Sequence, residues 1–266
     1  MAYARRIDRA NPGCILFLVD QSGSMGHEMV HGTTTPKSVA VADQINQLLT
    51  EFVLACTGGD EGIKYYFDIG LIGYGERVGS ALGGALANRD LVSIVELADN
   101  PITTTPTPLW LTPVGAGGTP MRGAIDLAGQ LMADWANRHP DSFPPIIINI
   151  SDGAANDSDP RDLAARLQSL KTLDGELLFF NVNISARPGS PLLFPSSYEQ
   201  LPMNDDYAAI LFEMSSRLTP DQLKEASRLH GAGADARGFA FNSDIVALRQ
   251  FLHIGTMVTQ GDEHTV

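Results

Sequence analysis

Cys14-Ile15-Leu16-Phe17-Leu18-Val19-Asp20-Gln21-Ser22-Gly23-Ser24-Met25 sets the frame for the whole chain. Its first six residues are an unbroken apolar run, which fits a strand buried on both faces of a parallel sheet. The run stops at a carboxylate, and two hydroxyl residues follow at alternate positions with a glycine between them. In a tight loop Asp20, Ser22 and Ser24 can turn their oxygens towards one point, and Gly23 lets the backbone bend there.

Outward from this stretch, segments of two periods alternate. Val41, Ala42, Ile45, Leu48, Leu49, Phe52 and Val53 recur at helical spacing. Residues 65–74 read as a strand entered through the turn Asp60-Glu61-Gly62, and residues 91–97 are a weaker strand candidate. A Pro/Thr-rich stretch at 101–113 leads to a second long helix. Thr119 is expected as its N-cap and Pro120 as its first residue, because proline has no N–H to lose there. Met121, Ala124, Ile125, Ala128, Leu131, Met132 and Trp135 form that helix's buried stripe. A further central strand is expected at 146–150, a helix at 162–170 and a strand at 177–184. Thr219-Pro220 repeats the cap-and-proline signal before a helix that Gly231 ends, and a strand at 239–241 precedes a helix at 244–252 capped by Ser243.

This alternation predicts an α/β fold: a doubly wound, mostly parallel, Rossmann-like central sheet with helices on both faces. One domain is expected over 1–258, with an inserted or extended segment at about 186–231 and a polar tail at 259–266. Within that segment, 188–206 is a proline-punctuated loop, and a loop that long in a compact domain signals function or mobility.

Composition sets limits. Of 266 residues, 44% are hydrophobic and 18% charged, enough for a large core and too apolar for disorder. The formal net charge of −13 means that nucleic acid and an anionic membrane surface would both repel the protein. A cation or a basic partner suits it. No apolar run approaches the ~20 residues that span a bilayer. The run at 14–19, although preceded by Arg5 and Arg6, is too short for a secretory signal and ends in Asp20. The expected location is cytoplasmic. Cys14 and Cys56 read as small buried thiols.

Two more short pieces stand out beside the opening loop. Gly117-Gly118-Thr119-Pro120 precedes the second long helix, and Ser151-Asp152-Gly153 follows the strand at 146–150. Loops from separate strands converge at the carboxyl edge of a doubly wound sheet, where ligands bind. Asp20, Ser22, Ser24, Thr119 and Asp152 together offer carboxylates and hydroxyls, all hard oxygen donors, without Cys or His. Such a set suits Mg²⁺, with Mn²⁺ or Ca²⁺ as alternatives, rather than Zn²⁺. Mg²⁺ takes about six oxygens and keeps some waters, so five protein groups in direct and water-mediated contact fit it. The hydroxyls donate weakly, which leaves the ion electrophilic and open to an outside carboxylate as its sixth ligand. Each piece alone is weak, since Asp and Ser are common in turns and caps. Their order and their shared edge carry the reading.

The pattern D-x-S-G-S-M, then G-G-T-P-M, then S-D-G resembles the metal-ion-dependent adhesion site of von Willebrand factor type A domains. The resemblance runs from Cys14 to about Leu252, strongest at the three loops and weak over 188–218. It implies that Ser22, Ser24 and Thr119 supply hydroxyls while Asp20 and Asp152 bind the ion directly or through water. It also implies a non-enzymatic module that captures an Asp or Glu carboxylate of a partner protein. The cysteine pair that extracellular type A domains often carry near the domain ends is missing here. Met25 and the G-G-T-P-M wording look like the intracellular bacterial branch, and within it the tellurium-resistance-associated type A proteins. Those tend to be encoded beside serine/threonine kinases and metal-dependent phosphatases, so the resemblance implies such partners and a signalling or stress-response setting. An AAA-type ATPase is the alternative partner, and a metal-dependent hydrolase the alternative class.

One string pulls the other way. His27-Glu28-Met29-Val30-His31 matches H-E-x-x-H, and Glu51 lies downstream where some zinc proteases place a third ligand. That motif needs a helix of several turns carrying both histidines on one face. Gly26 before it and Gly32-Thr33-Thr34-Thr35-Pro36 after it leave room for barely two turns. The string is therefore read as a solvated loop beside the metal site. Ser22-Gly23-Ser24 lacks the G-x-S-x-G elbow, and no G-K-[ST] follows the glycines at 115–118. Asp157 and Asp159 read as a solvated helix start, and His139 and His230 as helix-end residues. Glu28 is the only candidate general base that the sequence offers near the site.

Overall fold

The opening apolar run forms β1 (Gly13–Asp20), every residue of it buried. The computed structural model describes residues 2–257 except Ala154, Arg187, Met203 and Asn204, and only the backbone of Asp60; the tail expected at 259–266 lies outside the described residues. After β1 come α1 (Gly23–His27), α2 (Lys37–Ala55), β2 (Phe67–Tyr74), β3 (Val78–Ser80), β4 (Val92–Ser93) and α3 (Ile94–Asp99). Next are α4 (Met121–Arg138), β5 (Ile146–Ser151), α5 (Arg161–Gln168), β6 (Lys171–Thr172) and β7 (Gly175–Glu176). Then follow β8 (Leu178–Ile184), β9 (Leu192–Leu193), α6 (Asp206–Glu213), α7 (Pro220–His230), β10 (Phe239–Ser243) and α8 (Ile245–Gly255).

Among the described residues the main sheet has eight strands in the order β3-β2-β1-β5-β8-β10-β9, with β4 also paired to β2. β2, β1, β5, β8 and β10 run parallel, and the short β3, β4 and β9 are antiparallel additions. Side chains alternate along β1 and so build two cores. Ile15, Phe17 and Val19 pack with residues of α2, α3, α7 and α8. Leu16 and Leu18 pack with residues of α4, α5 and α6 on the other face. This is the doubly wound, mostly parallel sheet that the alternation of periods predicts.

Topology fixes where a ligand can sit. From β1 the chain crosses through α2 to β2 on one side, and it returns through α4 to β5 on the other side of β1. The β1/β5 boundary is the switch point of the sheet, and the loops leaving the carboxyl ends of these two strands diverge to open a crevice.

Several local details differ from the sequence expectations, each for a visible reason. Residues 91–97 are strand only at Val92–Ser93; Ser93 and Glu96 close a capping box, with Glu96 N donating to Ser93 Oγ at 3.2 Å and Ser93 N to Glu96 Oε2 at 3.0 Å, and a helix begins. Thr119 is not the N-cap of α4. Pro120 holds that position without a side-chain bond, and the Asp157 carboxylate accepts from the first free amides, Arg122 N at 3.2 Å and Gly123 N at 2.9 Å. Asp157 is exposed, as expected, and also caps a neighbouring helix. α8 is capped by Asp244, whose Oδ1 accepts from Ala247 N at 2.8 Å, because Ser243 still belongs to β10. Within the segment 188–206, Leu192–Leu193 form β9 on the edge of β10, and Asp205 caps α6 through Ala208 N at 2.9 Å. Thr219 and Gly231 do bound α7, the glycine at φ 67°. Cys14 and Cys56 are buried free thiols.

Candidate metal centre

β1 delivers Asp20 and β5 delivers Ser151 side by side at the crevice. Asp20 Oδ1 accepts from Ser22 N, and Oδ2 from Ser151 Oγ, both at 2.8 Å. Ser22 Oγ and Ser24 Oγ are 3.1 Å apart, and Ser24 Oγ donates to Asp152 Oδ1 at 2.9 Å. Asp20, Ser22, Ser24 and Asp152 therefore form one hydrogen-bonded cluster drawn from two loops. Asp20 is 1% exposed. Burial pushes its carboxyl up to about 6, against the opposing bonds from Ser22 and Ser151, and the nearby Asp152 charge adds to the rise. A carboxylate so placed gains from any cation that replaces its lost water.

The third loop is tied to the other two through the backbone. Ala116 N donates to Gln21 O at 2.7 Å, Gly23 N to Gly117 O at 3.1 Å, and Asn156 N to Thr119 O at 3.1 Å. Gly117 makes this possible: its φ is +84°, and a Cβ there would meet Glu76 N at 2.5 Å. Thr119 is buried, and its hydroxyl enters no hydrogen bond among the described residues. The group that a cap would have consumed remains free to donate a lone pair at the site.

Two site residues carry no signal in the sequence. Lys37, the first residue of α2, extends its ammonium to Asp152 Oδ2 at 2.9 Å and to Glu28 Oε2 at 2.5 Å. Tyr207, on α6, has a buried hydroxyl without a hydrogen-bond partner among the described residues. Burial above all, with the charges of Asp20 and Asp152, holds its phenol well above the ordinary range. Lys37 lies 115 residues from Asp152 and Tyr207 sits in the segment weakest in motifs, so only the three-dimensional arrangement reveals them. Both line a cleft of about 800 Å³ that runs from Ser24 and Asp152 past Asn183 to Leu192, Gln200 and Asn242. That is the size of a pocket for a small ligand or a few residues of a partner.

Below the cluster lies a satisfied polar chain. Tyr74 Oη donates to Asn149 Oδ1 at 2.6 Å, Asn149 Nδ2 to Asn181 Oδ1 at 3.0 Å, and Asn181 Nδ2 to Ser215 Oγ at 3.0 Å. These buried side chains cross β2, β5 and β8 and reach the end of α6, and their mutual bonding removes the penalty of burying them.

The donor chemistry fits a hard dication. The cluster holds oxygen donors from two carboxylates and two serines, with the Thr119 hydroxyl unengaged on the adjoining loop. Among the described residues no three His, Cys, Asp or Glu side chains converge as a metal cage, so hydroxyls would have to complete the coordination. Asp20, Ser22, Ser24, Thr119 and Asp152 are the groups that would hold such an ion. The H-E-x-x-H string does not form the helix that the zinc-protease motif needs. α1 ends at His27, Glu28 is its C-cap, Met29 pairs with Pro36, and His31 N donates to Ser185 O at 3.0 Å. His27 and His31 share no helix, and Glu51 on α2 faces Arg249 at 3.7 Å.

No protein-family model and no curated protein matches the chain. Among solved structures it is similar to the manganese-loaded Plasmodium vivax TRAP protein, at 14% identity over 94% of this chain and 75% of that one, with a TM-score of 0.47. It is also similar to the three N-terminal domains of the type V pili tip protein Mfa5 from Porphyromonas gingivalis, at 19% identity over 55% of this chain and 20% of that one, with a TM-score of 0.34. The vWF domain of the same Mfa5 gives 18% identity, 55% and 39% coverage, and a TM-score of 0.33. The chain thus spans less than half the length of either Mfa5 structure. What the site can do follows from its own donors.

Proposed function

We propose that this chain is a von Willebrand factor type A-like domain that holds one Mg²⁺ or Mn²⁺ and binds a partner protein through an Asp or Glu carboxylate, without catalysis. The observation that carries this reading is the cluster at the switch point: Asp20, Ser22, Ser24 and Asp152 within hydrogen-bond reach, and Thr119 on a loop bonded to theirs. A dication bound there would supply an electrophilic position for an incoming carboxylate oxygen. Asp20 and Asp152 supply charge from buried places, Ser22, Ser24 and Thr119 supply neutral oxygens, and the neighbouring cleft opens beside them.

Two features favour binding over hydrolysis. Glu28, the candidate base, is held in an ion pair with Lys37, so its carboxylate is already engaged. The buried hydroxyl of Tyr207 lies under strong upward pressure on its pKa and stays protonated. The likeness of D-x-S-G-S-M and G-G-T-P-M to intracellular bacterial type A proteins supports a cytoplasmic signalling or stress-response setting. A serine/threonine kinase and a metal-dependent phosphatase are the first candidate partners, and an AAA-type ATPase the second. No helix among the described residues is long and apolar enough to cross a membrane.

A pull-down from native lysate tests this, run in Mg²⁺, in EDTA, and with Thr119→Ala in Mg²⁺. Partners retained only by wild type in Mg²⁺ support the reading. The same partners in every condition would contradict it.

A further inference from the structure

Lys37 is an odd residue for its position. It opens α2, where the helix dipole presents its positive end, and its side chain is only 3% exposed. A buried ammonium must be paired. Its partners are Asp152, whose side chain is 1% exposed, and the half-exposed Glu28. Ser24 holds the other oxygen of the same Asp152 carboxylate. The ammonium is therefore one carboxylate away from the place a dication would take.

Charge counting gives this arrangement a meaning. Asp20 and Asp152 bring two negative charges to the buried cluster and Lys37 brings one positive charge; water screens much of Glu28. Adding a dication leaves one positive charge in excess inside the protein, and a carboxylate from outside cancels it.

We propose that Lys37 is a resident counter-cation of the metal site. It keeps Asp152 oriented in the metal-free protein, holds down the affinity of the isolated chain for dications, and makes retention of the ion depend on the partner's carboxylate. This rests on the metal-site reading above and specifies how that site is regulated. Linkage makes the dependence reciprocal: the acid ligand tightens the ion by the factor with which the ion tightens the ligand. Without Lys37, the two aspartates would keep the ion on their own and gain less from a partner.

Isothermal titration of the purified chain with Mn²⁺, together with thermal melts in EDTA and in Mn²⁺, compares wild type with Lys37→Met and Lys37→Gln. Lys37→Met should bind Mn²⁺ about tenfold tighter or more, since a like charge within several ångströms of the ion is gone. It should melt lower than wild type in EDTA, where Asp152 has lost its partner, and show the larger rise on adding Mn²⁺. Lys37→Gln keeps a donor towards both carboxylates without the charge; it should shift affinity in the same direction, and it decides the matter if the methionine variant does not fold. If Lys37 served only to position Asp152, removing it would weaken the ion. An affinity equal to or below wild type in a folded variant therefore overturns the inference and leaves the metal site standing. A wild type that binds no Mn²⁺ overturns both.

Discussion

Asp152→Ala should cost the metal-free protein about 3 kcal/mol and remove its response to Mg²⁺. The Asp152 carboxylate, 1% exposed, accepts from Lys37 Nζ and Ser24 Oγ, each at 2.9 Å. Truncation leaves the Lys37 ammonium, 3% exposed, with Glu28 alone. Breaking a buried pair by removing one partner costs about 3–5 kcal/mol, and the surviving Glu28 contact places this case at the lower end. At ~2.1 cal/mol/K per residue, 266 residues give an unfolding entropy of about 0.6 kcal/mol/K, so the variant should melt about 5 °C below wild type. Mg²⁺ at about a hundred times its Kd should stabilise wild type by about 2.7 kcal/mol, a similar number of degrees, and the variant not at all. Scanning calorimetry in EDTA and in Mg²⁺ reads both effects. Asp152→Ala combined with Lys37→Met should recover most of the loss in EDTA, because no uncompensated buried charge remains. A single variant that melts within about a degree of wild type in EDTA, or that keeps the wild-type Mg²⁺ shift, would refute this account of Asp152.

Two further outcomes follow from the same geometry. Burial raises Asp20 from 3.8 to about 6, so the folded, metal-free protein holds a proton there more tightly than the unfolded chain does. That contribution is full below about pH 4, is lost as pH rises through about 6, and amounts to about 3 kcal/mol. Urea unfolding in EDTA across this window should show wild type losing stability relative to Asp20→Asn, and parallel profiles would contradict a buried ionisable Asp20. With Mg²⁺ the trend runs the other way, because the ion needs the carboxylate deprotonated and its stabilisation should shrink below about pH 6. As for the H-E-x-x-H string, elemental analysis of wild type and His31→Ala should find no zinc that depends on the histidine. Stoichiometric zinc lost in the variant would make the string a metal site after all, despite the separate elements that hold its two histidines.

The alternation of apolar runs and helical stripes made the sheet readable in the sequence, and the carboxyl ends of 14–19 and 146–150 pointed to the crevice where Asp20 and Asp152 now lie. Period alone misled at 91–97, where the Ser93/Glu96 capping box outweighs an apolar stretch too short to choose between strand and helix. Thr119 before Pro120 carried a true local signal for a cap, but Asp157, 35 residues from Arg122 in sequence, supplies the anion to the helix end instead. α1 has five residues, two of them glycine, too few for a periodic pattern. Lys37 and Tyr207 were invisible for a different reason. Nothing local distinguishes a lysine at a helix start or a tyrosine in an amphipathic helix; their roles come from long-range burial beside Asp152 and Ser151, which only the assembled sheet brings about.

Thr119→Ala tests the central claim most directly, because the Thr119 hydroxyl enters no hydrogen bond among the described residues and caps no helix. Its removal breaks no hydrogen bond among the described residues and takes away a donor to the ion. Titration calorimetry with Mg²⁺ and Mn²⁺, with melts in EDTA as the control, makes the comparison. The account predicts one ion bound per wild-type chain, an unchanged melting temperature for Thr119→Ala in EDTA, and binding weakened about tenfold or more in that variant. Equal affinities in the two proteins, or no binding by wild type, would contradict it.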